Sequence, residues 1–141
     1  MDNWKKEAEF VLARSAENDE QLFTGDDGEA IPRDEHDEFV NKWGFSYNDI
    51  WDLDKAIVMF ILPRIAYFRE HCTTYPAKVT KDGSPVLNEE EAVEKWHQIL
   101  DAICEGLHCY LETDFKKSEE KQEKWKTAKS YLFDYFEALW N

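Results

Sequence analysis

The sequence predicts an all-α protein: a compact bundle of four to five helices with a kinked central helix and a minor β-hairpin beside it. Three observations lead there. Apolar residues recur at steps of three and four in successive segments, capping residues stand at the segment starts, and the 141 residues include six Trp, six Tyr and nine Phe. Each such ring buries roughly 150–250 Å², which offsets a charged fraction of 34% that alone would point toward disorder. The length is that of a single domain. Residues 1–44 read as an acidic N-terminal elaboration and 45–141 as the helical core.

In chain order, Trp4, Ala8, Val11 and Leu12 lie at helical spacing and predict a modest amphipathic helix over 3–16, with Asp2 as its cap. "LFTGDDGEAIP" and "KVTKDGSPVLN" each bring an apolar-Thr pair, Phe23-Thr24 or Val79-Thr80, to an Asp-Gly turn, and together predict the small hairpin. Residues 34–43 predict a short helix closed by Gly44. Ser46 or Asn48 caps the next helix, and Ser46 with Asp49 resembles a capping box with Asp in place of Glu. The central helix then presents Ile50, Leu53, Ile57, Ile61, Ile65, Phe68 and Cys72 as its main stripe, with Trp51, Val58, Leu62 and Ala66 on a neighbouring face. Pro63 removes a backbone hydrogen bond to Met59, so a kink or break belongs there. Asn88 caps a helix of about 88–112 whose apolar face is Trp96, Ile99, Leu100, Ile103, Leu107, Tyr110 and Leu111. Ser118 opens the last helix, with Trp125, Ala128, Leu132, Tyr135, Phe136 and Leu139 as its core stripe.

The net charge of −14 is localised. Residues 17–39 hold ten acids and one base, Arg33; the other 118 residues, with 21 acids and 16 bases, carry only −5. That balance disfavours direct nucleic-acid binding, which needs cations against phosphate. It suits docking onto a basic partner through Asp26, Asp27, Glu29, Asp34 and Glu35, or mimicry of a nucleic acid. The apolar run Ile57–Leu62 is far short of the ~20 residues that span a bilayer, and the N-terminus lacks a signal-peptide pattern. Three Cys without framework spacing do not read as a disulfide scaffold. A soluble protein without a membrane partner is the expectation.

Catalytic signatures are weak. There is no GxSxG, GxxxxGK[ST] or GxGxxG. Asp49, Asp52 and Asp54 form the closest carboxylate cluster, but acids in a first helical turn serve the helix dipole. His97, Asp101, Cys104, His108 and Glu112 share one helical face, and Cys104 and His108 have chelating spacing; without paired Cys motifs, a polar border with buried thiols is the better account, and no metal is assigned. An EF-hand register on Gly28 puts Phe23 and Gly25 at ligand positions, so calcium is rejected. No cofactor is expected. A ligand groove lined by Trp51, Tyr67, Trp96, Tyr110 and Trp125, with Arg64 to hold an anion, competes with the simpler reading of these rings as core.

"FSYNDIWDLDKAIVMFILPRIAYFREH", then "EEAVEKWHQILDAICEGLHCYLE" and "KTAKSYLFDYFEALWN", resemble a group of small bacteriophage-encoded proteins of unknown function, with a Trp-x-Leu-Asp opening, an Ile-Leu-Pro-Arg stretch and a Leu-Phe-x-x-Tyr-Phe-x-x-Leu-Trp end. The resemblance covers residues 45–141 and implies a phage or prophage protein acting in the host bacterial cytoplasm. It carries no catalytic or binding residues. The expectation is a non-enzymatic accessory protein that binds a host or phage protein, a host defence component included. A nucleotide-like ligand binder and a virion or assembly component are the alternatives. The aromatic excess is compatible with self-association.

Overall fold

The structure is a computed structural model describing residues 3–19, 32–80 and 88–140. Among these the chain forms six α-helices: α1 (Asn3–Asp19), α2 (Arg33–Trp43), α3 (Tyr47–Trp51), α4 (Leu53–His71), α5 (Glu89–Leu111) and α6 (Glu119–Asp134). Short 3-10 turns fill Ala77–Thr80, Phe115–Lys117 and Phe136–Ala138. The all-α class holds. The helix number exceeds the expected four to five because the central helix is divided at Asp52, whose φ of −118° and ψ of 52° leave the helical region.

Local chemistry sets the ends. Gly44 adopts φ 80° and gives its N–H to the Val40 carbonyl at 2.8 Å, closing α2 in the left-handed conformation that glycine tolerates. Ser46 and Asp49 form the reciprocal box: the Ser46 N–H donates to Asp49 Oδ2 at 2.9 Å, and the Asp49 N–H donates to Ser46 Oγ at 3.3 Å. Asn88 accepts from the Glu91 N–H at 2.8 Å and Ser118 from the Lys121 N–H at 3.3 Å, each satisfying a donor that the first helical turn leaves open.

The bundle is built by α1 on α4, α4 on α5, and α5 on α6. Its core takes Val58, Leu62, Ile65 and Ala66 from α4, and Trp96, Ile99, Leu100, Ile103 and Leu107 from α5. Trp4, Phe10 and Val11 of α1 pack against this core, so the N-terminal 44 residues contain an integral helix and not an elaboration alone. No described apolar side chain of α2 is among those of the core cluster or packed against it, although the His36 side chain is nearly buried. The α5–α6 contact is the tightest, since a Cβ added at Gly106 would lie 2.2 Å from the Ala128 Cβ and 2.3 Å from the Lys124 carbonyl oxygen.

Three expectations need correction. The buried face of this region mixes the two stripes: Val58, Leu62 and Ala66 of the neighbouring face are buried together with Ile65 and Cys72 of the main stripe, while Ile50, Leu53 and Ile57 of the main stripe and Trp51 of the neighbouring face are exposed; a helix apolar around its circumference does not reveal from spacing which side meets the core. Phe136 is also exposed, because α6 stops at Asp134 and the chain tightens into a 3-10 turn that rotates it outward. Val79-Thr80 lies in the 3-10 turn Ala77–Thr80 with Val79 buried, and no strand occurs among the described residues. Phe23-Thr24 and both Asp-Gly turns of the expected hairpin lie outside the described residues. At Pro63, α4 continues without a break in helical structure.

Candidate functional site

The polar residues aligned on α5 are each drawn to a different partner. His97 Nε2 lies 2.8 Å from the Cys72 carbonyl oxygen, and Arg69 clasps Asp101 through Nε at 2.8 Å and Nη2 at 3.2 Å. His108 Nδ1 sits 2.9 Å from Glu7 Oε2 and its ring stacks on Phe10 at 4.0 Å, so this pair fastens α1 to α5. The hydrogen bond that His108 donates to the Glu7 carboxylate holds the His108 pKa above its ordinary value, against partial burial that pulls it down. Burial, helped by Glu7 and Asp101, pushes the Cys104 thiol up to about 12. A thiol that stays protonated at neutral pH is a poor nucleophile. Among the described residues no group of three His, Cys, Asp or Glu is arranged to hold a metal ion. The three cysteines are free, buried thiols.

The acids of the "YNDIWDLD" cluster also separate. Asp49 is spent on the capping box, while Asp54 accepts a hydrogen bond from the Tyr110 hydroxyl. That bond lowers the Asp54 pKa, and burial followed by the same contact raises Tyr110 to about 12. Tyr110 also stacks on Trp125 at 4.2 Å and lines a cleft of about 520 Å³ together with Arg14, Asp54, Lys55, Glu112 and Lys116.

The six residues expected to form a ligand groove, Trp51, Arg64, Tyr67, Trp96, Tyr110 and Trp125, do not converge. Trp96 is 1% exposed and belongs to the core, where no ligand entering from solvent meets it. Trp51 is 71% exposed at the end of α3. Arg64 and Tyr67 lie on the outer side of α4. There Arg64 folds back on its own helix, donating from Nη1 to the Phe60 carbonyl at 2.7 Å with its guanidinium 3.8 Å from the Phe60 ring centre. Tyr67 meets Trp4 edge-on at 5.2 Å and stacks on His71 at 4.0 Å.

Of the residues expected to dock a basic partner, Asp34 and Glu35 occupy the first turn of α2 and are exposed, as are Asp37 and Glu38 behind them. Asp26, Asp27 and Glu29 lie outside the described residues. Sequence reasoning missed Leu53, Ile57 and Phe60, three large apolar side chains about half exposed on α4. Their steps of four and three, continued by Arg64, Tyr67 and His71, were the available signal. No helix among the described residues is long and apolar enough to cross a membrane. Compared with protein families, curated proteins and solved structures, the chain matches none of them.

Proposed function

We propose that this chain is a bacteriophage accessory protein that acts without catalysis, by docking onto a basic surface of a host or phage protein, with host defence components among the candidate partners. The phage origin rests on the sequence resemblance. The docking role rests on α2, a helix set apart from the core that displays Asp34, Glu35, Asp37 and Glu38 to solvent. These exposed carboxylates belong to the acidic run of residues 17–39. Complementary charge of this kind speeds encounter and selects partners more than it deepens affinity.

The test is capture from host lysate with the intact chain and with a variant carrying D34N, E35Q, D37N and E38Q. A partner retained by the intact chain and lost by the variant supports the reading. Equal retention by both removes α2 from the docking surface. The ligand-binding alternative attaches to the cleft at Tyr110, whose volume of about 520 Å³ lies in the range of small-molecule sites. A nucleotide that raises the melting temperature of the wild type but not of a Tyr110→Phe variant supports it; a flat screen ends it.

A further inference from the structure

Helix α4 has two apolar faces. Val58, Leu62, Ile65 and Ala66 face the core, while Leu53, Ile57, Phe60, Arg64, Tyr67 and His71 run along the opposite side at steps of four, three, four, three and four. The second set has the spacing of a coiled-coil seam, close to one position every 3.5 residues. It is left open: Leu53 is 49% exposed, Ile57 53%, Phe60 59% and Tyr67 48%. A helix apolar on both sides is ordinarily covered on both.

We propose that a second copy of this chain covers this face, with the two α4 helices antiparallel about a twofold axis level with Leu62. The register is self-complementary. Antiparallel pairing about residue 62 sets Phe60 against Arg64 of the other copy, Ile57 against Tyr67, and Leu53 against His71. Every layer then joins an apolar or aromatic side chain to one with a flat, amphipathic head. Arg64 already rests on the Phe60 ring of its own chain at 3.8 Å, so the seam offers the guanidinium a second ring without a new desolvated charge pair. Parallel pairing would stack Arg64 on Arg64, which like charge disfavours.

The seam itself is free of acidic charge. No Asp or Glu occupies any of its six positions, although the chain carries −14 overall. Of the nearest flanking acids, Asp54 is bonded by Tyr110, and Glu70 accepts from the Trp4 N–H at 3.2 Å. The dimension suits a specific dimer. Nineteen residues make a contact roughly 28 Å long. With about half of each large side chain available, each copy offers an area of the same order as the roughly 800 Å² share of a standard interface. This face is separate from the α2 carboxylates, so the dimer and the docking reading stand or fall independently.

Sedimentation equilibrium at micromolar concentration tests the assembly: the expected mass is twice the 16.8 kDa of the chain. Phe60→Glu is expected to abolish the dimer while leaving the helical circular dichroism and melting curve of a folded monomer, because the side chain is already exposed. The register is read with Ile57→Cys and Tyr67→Cys. Under mild oxidation an equimolar mixture of the two is expected to form an intermolecular disulfide, and neither alone. A wild-type monomer across the concentration range, with the face then covered by another part of this chain or by a different protein, overturns the proposal. So does a dimer that survives Phe60→Glu. Cross-linking by each single variant alone, the mark of parallel pairing, overturns it too.

Discussion

Gly106 shows what one side chain decides. Glycine inside a helix costs about 1 kcal/mol relative to alanine, so Gly106→Ala would stabilise an isolated α5. In the bundle the sign reverses, since the new methyl would lie 2.2 Å from Ala128 and 2.3 Å from the Lys124 backbone oxygen, and the helices must part. We expect Gly106→Ala to destabilise the protein by about 1–3 kcal/mol, read from the shift in denaturant midpoint; an unchanged or raised midpoint would show that α5 and α6 are looser than drawn. The His108–Glu7 pair is the second residue-scale case. Its hydrogen bond raises the folded pKa of His108 above the unfolded value of 6.5. Its contribution is therefore complete below about pH 6.5 and fades as pH climbs through the raised folded value. With the imidazole about one-third exposed, solvent screening limits the effect to about 1 kcal/mol or less. The difference in melting temperature between wild type and Glu7→Gln is expected to be larger at pH 6 than at pH 9. A difference independent of pH would mean that the pair is held by its neutral hydrogen bond alone.

At the scale of elements, what was legible in the sequence was local. Gly44, Ser46 with Asp49, Asn88 and Ser118 stop or start helices through bonds to their own neighbours, so they can be read without knowing what packs where. We expect Asn88→Ala, which deletes the acceptor for the Glu91 N–H, to cost about 1 kcal/mol, measurable as a lower denaturant midpoint with an unchanged slope. No change would mean that the acids Glu89, Glu90 and Glu91 hold the first turn through the dipole unaided. Orientation was not legible in α4. Its apolar residues surround the helix, and only the placement of α1 and α5 distinguishes Leu62, fully buried, from Phe60, two positions away and open. The close approach at Gly106 was hidden for the same reason, because the Ala128 it meets lies 22 residues further on. The candidate site suffered most: Trp96 and Trp51 both look like binding aromatics in sequence, yet one is core and the other surface.

For the whole molecule, the charge of −14 sets two surfaces against each other. On the proposed docking role the carboxylates of α2 would attract a cationic partner, an attraction screened by salt: the Debye length falls from about 10 Å at 0.1 M to about 3 Å at 1 M ionic strength. The outer face of α4 carries no acid and joins two copies of an acidic chain, so mutual repulsion opposes it and salt relieves that repulsion. Raising sodium chloride from 0.1 to 0.5 M is therefore expected to weaken capture of the α2 partner and to hold or tighten the dimer. Two measurements on one preparation, partner retention and sedimentation mass, follow both responses at once. If the dimer weakens in step with partner capture, ion pairs rather than the apolar seam join the copies. If partner capture withstands the salt while the dimer also persists, the partner is held by apolar contacts, and the acids of α2 merely keep the chain dispersed.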